Sequence, residues 1–243
     1  MRNQSNRMPM VNRRSILTGS AGAVFAAFAM PALARRADES KVTIASFELL
    51  RPSQGAVGMR EVAIKTADVI DRARKPEKLA KFLLKEALPV VRGPDGGLHL
   101  IDHHHLGRAL WEAKHRDAHV ETMADLSKLA ADTFWAEMDK RGWLHAYDAT
   151  GKFVGPDKLP RHLKDMGDDI YRSLAGAIRD AGAYEKSQVP FAEFKWADFL
   201  RTHIIRSAVD RNFDAAVAQA KLLARTPEAA TLPGFLGAKK KAA

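Results

Sequence analysis

Four of the chain's nine histidines fall within seven residues, at His99, His103, His104 and His105. The last three form the run Asp102-His103-His104-His105. An apolar, strand-like "GGLHLI" precedes this run, and Leu106, Ala109, Leu110 and Ala113 follow it at helical spacing. A strand that passes straight into a helix leaves the helix's first backbone N–H groups without partners. Together with the helix dipole, those donors attract an anion. Imidazoles that titrate near neutrality can move protons at the same place. The residue types therefore suit an anion site, with the helix terminus holding the anion and Asp102 capping the helix. Successive helical residues point about 100° apart, so three adjacent histidines cannot all face one ligand. Arg108 shares a face with both His104 and His105, and its charge would support bound phosphate.

Two other readings of the cluster stay open. It could be a hydrophilic turn of half-exposed histidines, one of them buried against a carbonyl. It could also hold a divalent metal, since neutral imidazole and carboxylate suit zinc or manganese, although no HExxH spacing occurs. A second candidate group lies upstream. Arg51 stands beside Pro52 in a loop where no packing reason calls for a cation. Glu61 could take a proton from water or an alcohol if it faces the histidines. Glu61 and Lys65 are four apart, so an ordinary helix ion pair explains them equally well.

The elements that must position these residues are legible in outline. "KVTIASFELL" reads as a strand, and "RPSQGAVG" as a loop. Residues 62–84 are helical in pattern, with Pro76 separating two helices. "LPVVRGPDGGLHLID" reads as a hairpin, with Val90 and Val91 in one strand and Leu98 and Ile101 in the other. "HVETMADL" suits a last short strand. Helical segments then follow at 127–141, 168–182, 193–206 and 210–224. Phe191, Phe194, Trp196 and Phe199 read as a buried helix face, and Asp168 and Asp169 as acids at a helix start. The fold class expected is α+β and mainly helical.

Composition narrows the function. There is no cysteine, which removes disulfides, thiolate ligands and cysteine nucleophiles. The formal charge is +10, but residues 1–34 carry Arg2, Arg7, Arg13 and Arg14 and no acid, which leaves +6 for the remainder. Such a surplus permits attraction to phosphates without demonstrating it. Arg13-Arg14, an apolar run to Met30 and Ala32-Leu33-Ala34 resemble a twin-arginine export signal, with an uncleaved anchor as the alternative. Beyond the signal no stretch is apolar enough to span a membrane, so the expected location is the periplasm.

The order strand, "LLRPSQ", helix, "PVVRGPDG", strand, "DHHH", helix resembles the ParB/sulfiredoxin superfamily, most closely its ParB-like nuclease branch. In that superfamily the loop after the second hairpin strand cradles nucleotide phosphates. One of its forms is Asp-Gly-His-His-Arg, matched here at Asp102, His104 and His105. His103 replaces the usual glycine, and Leu106 the usual arginine. The resemblance implies an N-terminal domain at 42–122 built on a small mixed sheet with helices. It leaves a signal at 1–34, a linker at 35–41, a helical region at 123–236 and a basic tail at 237–243. It implies a nuclease or phosphoesterase acting on nucleotide or nucleic acid. Catalysis would fall to His104, His105 and Glu61, and phosphate binding to Arg51, Asp102, His103 and Arg108. A non-catalytic module binding a nucleotide, an anion or a partner is the alternative. Without cysteine it cannot work as a sulfiredoxin, and export would separate it from chromosome partition. If Arg13 and Arg14 direct export, changing both to lysine should leave unprocessed precursor in the cytoplasm. Mature protein still appearing outside the inner membrane in a fractionation experiment would defeat that reading.

Overall fold

Strand alternation sorts the sheet's side chains to two faces, and this sorting decides which candidates can meet. The computed structural model describes residues 37–237; the expected export signal at 1–34 and the lysines of the tail lie outside the described residues. Five strands form one mixed sheet in the order β1-β6-β4-β5-β2: β1 Val42–Ser46, β2 Leu50–Pro52, β4 Leu88–Arg92, β5 Leu98–Leu100 and β6 Asp117–Asp125. The hairpin β4–β5 is antiparallel, while β2 runs parallel to β5 and β4 parallel to β6. Two short strands, β3 Ala56–Val57 and β7 Gly167–Asp168, pair separately.

"KVTIASFELL" is not one strand. The Glu48 amide donates to Ser46 Oγ, which caps a 3-10 turn over Phe47–Leu49 and sends β1 and β2 to opposite edges of the sheet. Ile101 lies one residue past β5, although its amide still donates to the Pro89 carbonyl.

One sheet face carries Leu50, Leu88, Val90, Leu98, Leu100 and Val120 into a core with Val62, Val69, Leu83, Ala109 and Leu110. Those partners come from three helices, α1 Met59–Ala73, α2 Pro76–Lys85 and α3 His104–Glu112. Pro76 opens α2 at its first position, where its missing N–H costs nothing. The other face carries Val91 against Phe134 and Met138 of α4 Ala131–Lys140.

The C-terminal helices are α5 Ile170–Asp180, α6 Ala192–His203, α7 Arg206–Arg211 and α8 Phe213–Leu223. They enclose a second core around Trp196, which stacks on Tyr184 and donates its indole N–H to the Pro233 carbonyl. Asp169 caps α5 through the amides of Tyr171 and Arg172, and binds Arg201 at 2.8 Å.

The two cores meet where α1 begins against α5. The Arg60 amide donates to Ser173 Oγ and the Met59 amide to Asp168 Oδ1. A Cβ on Gly58 would stand 2.8 Å from the Ser173 nitrogen and 2.9 Å from its Cα, too close for backbone atoms. Gly58→Ala should therefore lower folding stability by about 1–3 kcal/mol, as overpacking does. An unchanged urea midpoint would show that the helices separate without cost.

Candidate active site

The segment Ser53–Gly58 crosses the first turn of α3, and two histidines of the cluster hold it there. The Ser53 amide donates to His104 Nε2 at 3.2 Å, and the Gly58 amide to His105 Nε2 at 3.0 Å. Both rings are buried. A backbone amide can only donate, so each Nε2 presents its lone pair and the neutral ring carries its proton on Nδ1. The same segment is held on its other sides. The His145 amide donates to the Ser53 carbonyl, and the Gly167 and Asp169 amides donate to those of Gly55 and Val57.

This corrects the expectation of imidazoles titrating near neutrality. Burial carries His104 down to about 3. Burial, then the neighbouring charge of Arg172, holds His105 well below its ordinary value. Nor are the partners carbonyls; they are amides. The Glu61 carboxylate approaches His105 Nε2 at 3.6 Å, but with that atom neutral the contact is not an ion pair.

Asp102 does not cap α3. The N-cap is His103, in the left-handed region at φ 59°, and no side chain caps the helix. Asp102 stands one residue too early, and its carboxylate accepts the His103 amide at 2.7 Å. Two expected phosphate ligands lie elsewhere. Arg51 pairs in register with His99 on the α4 face of the sheet, where it donates to the Glu48 carbonyl and approaches Asp95 at 3.9 Å. Alternation with the buried Leu50 and Pro52 turns it away from α3. Arg108 is spent on structure, bonding Glu112 and the carbonyls of Leu163 and Met166.

The remaining candidates border one cleft of about 650 Å³ that Glu61, Asp102, His103, His104 and His105 line in part. Arg172 of α5 lines it too, as do Arg179, Phe191, Glu193 and Phe194. Glu61 sits among cations, with Arg172 at 3.4 Å and Lys65 at 3.7 Å. Arg179 pairs with Glu193 and with Asp180. Burial raises the Glu193 carboxyl, but Arg172 and Arg179 more than offset it and hold it below its ordinary value. Among the described residues no three His, Asp or Glu side chains are grouped to hold a metal ion.

Arg172 is the residue that sequence reasoning missed. Its side chain is 8 % exposed, and its Nε is buried with no hydrogen-bond partner. A signal was present. Arg172, Gly176 and Arg179 fall at spacings of four and three, so α5 presents one stripe with no aliphatic side chain. Gly176 leaves that stripe open, since a Cβ there would lie 3.3 Å from Arg172 Nη1.

The neutral buried rings make stability depend on pH. Burial also holds His145 down to about 4. The unfolded chain takes up these protons near pH 6.5, and the folded chain only near 3 to 4. Stability is therefore full above about pH 6.5 and falls as pH drops, by about 1.4 kcal/mol per pH unit for each such histidine. Urea midpoints at pH 7 and pH 5 should differ accordingly, and by less in His104→Gln; equal midpoints would mean the rings are already charged.

Comparison with known proteins agrees with this architecture. The family model described as "Putative ParB-like nuclease" matches residues 43–202, which includes α5, all but the first residue of the sheet, and all of the cleft lining but Ala37. The crystal structure of protein Atu1540 from Agrobacterium tumefaciens superposes with a TM-score of 0.73 at 38% identity. The match covers 82% of this chain and 99% of that one. No curated protein matches. From the sheet through α5, the chain belongs to the ParB-like nuclease family.

Proposed function

We propose that the cleft hydrolyses a phosphate ester of a nucleotide or nucleic acid, with the phosphate seated against the start of α3. The observation that carries this reading is Arg172. A buried guanidinium with a partnerless Nε lines the same cleft as an uncapped helix N-terminus. Both are fixed donors, and together they would stabilise the charge that develops on phosphoryl oxygens. Glu61, paired with Arg172 and Lys65, would take a proton from the attacking water. His104 and His105 serve here as positioning residues that fix Ser53–Gly58 against α3. The family description, which names a nuclease, supports the same chemistry. The twin-arginine pattern of residues 1–34 assigns it, within this proposal, to the periplasm, where hydrolysis needs no nucleoside triphosphate.

A binding module without turnover is the second reading. It is favoured by the two histidines, which spend Nε2 on backbone amides and are held out of proton transfer.

Purified protein assayed on single-stranded DNA, RNA and nucleotides, with and without magnesium or manganese, separates the two. Turnover should fall about a hundredfold in Arg172→Ala, as when one charge-stabilising donor is removed, and less in Arg172→Lys. Saturable binding with no product under any condition would establish the binding module instead.

A further inference from the structure

We propose that Phe191 is the platform on which an unpaired nucleobase stacks, an inference that rests on the phosphate-site reading above. The lining of the cleft divides by chemistry. Lys65, Arg172 and Arg179 belong to its charged part, whereas Ile101, Trp143, Pro190 and Phe191 are apolar. None of these four apolar residues is buried, so each keeps surface open to an occupant. They also adjoin one another. Ile101 and Trp143 pack on the same small core around Phe134, and a Cβ on Gly142, beside Trp143, would meet Pro190 Cγ at 2.9 Å. Phe194 joins the two parts. The Arg172 guanidinium lies over its ring at 5.6 Å, and the Phe191 ring centre is 6.4 Å from its own. Phosphate and base of a single nucleotide can therefore reach both parts at once.

The backbone at Phe191 points the same way. It takes φ 57° and ψ 29°, a left-handed conformation that is a true outlier for a bulky side chain. Phe191 opens α6, where Ser, Asp or Asn would bond the first amides, and it supplies no side-chain cap. Glycine or asparagine would hold this backbone with less strain. Core formation does not account for the ring either, because Phe194 is buried while Phe191 stays partly exposed at the cleft. What phenylalanine adds is a flat face, backed by the His145 ring at 5.0 Å, which itself stacks on Phe194 at 3.9 Å. A flat face suits a planar occupant, and aromatic rings stack on any base with little regard to sequence. A base seated here has left its partner strand, so the substrate is a mononucleotide or a single-stranded end.

Calorimetric titration of the full chain with adenosine monophosphate, ribose phosphate and adenosine tests this, without added metal. The nucleotide should bind about tenfold more tightly than ribose phosphate, the increment of one stacked base. Phe191→Leu keeps an apolar side chain on the same backbone but removes the ring. It should bring the nucleotide down to the affinity of ribose phosphate and leave ribose phosphate itself unaffected, while Phe191→Tyr keeps the wild-type preference. Equal wild-type affinities for the two phosphates would overturn the proposal, and this comparison needs no variant to fold. A leucine variant that weakens both ligands alike would overturn it too, as the mark of a packing role, and so would failure of both the nucleotide and adenosine to bind. The two readings fail separately. Equal, saturable binding of the two phosphates would sink the base platform and spare the phosphate site. Adenosine bound as tightly as its monophosphate, and lost in Phe191→Leu, would sink the phosphate site and spare the platform.

Discussion

Two hydrogen bonds, from the Ser53 and Gly58 amides to His104 and His105, set the geometry on which everything else in the cleft depends. They join the chain after β2 to the first turn of α3, elements about fifty residues apart in sequence. Because the donors are backbone amides, the histidines must stay neutral, and burial enforces it. A protonated ring would lose its acceptor and leave a buried amide unpaired, a cost of about 1–3 kcal/mol beyond the charge itself. Neutrality of these imidazoles is thus a condition of the fold. It removes them from proton transfer and leaves that task to groups with free atoms.

From that strap the second core follows. Gly58, held by His105, begins α1 where no side chain can intervene, and Ser173 of α5 closes against it. The contact aligns Glu61 of α1 with Arg172 of α5 across the cleft. The sheet with its three helices, and the α5–α8 layer, therefore share one site. The family match passes through residue 122 without a break, consistent with a cleft built from both parts.

Much of this was legible in the sequence. Pro76 marked the break between α1 and α2, the Gly-rich turn marked the hairpin, and Asp169 marked the start of α5. Periodicity also identified Trp196 as core. What periodicity could not show was direction. Arg51 reads as a loop cation, but three residues of strand pairing with β5 turn it to the α4 face. Phe191 reads as part of a buried helix face, yet α6 begins one residue later and leaves it at the cleft. Histidine clusters suggest titration because their intrinsic pKa is near neutral. Only the donors from a distant loop reveal that two of these rings are acceptors. Arg172 was hidden for a related reason: an isolated arginine in a helix is ordinarily solvated, and its burial depends on α1 packing across it.

The charge pattern of the cleft narrows what can enter it. Its cations are largely engaged: Lys65 with Glu61, Arg179 with Glu193 and Asp180, and Arg172 in part with Glu61. Acidic side chains at Asp68, Glu86, Glu121 and Asp180 also border it. A surface meant to track a long phosphate backbone would instead present a run of free cations. Among the described residues, the Arg172 Nε is a buried donor without a partner, on a side chain that lines the same cleft as the uncapped start of α3. Within the proposed function such an arrangement would receive one anionic group and repel its neighbours. Within the proposed chemistry it favours a terminal or isolated phosphate over the interior of a duplex.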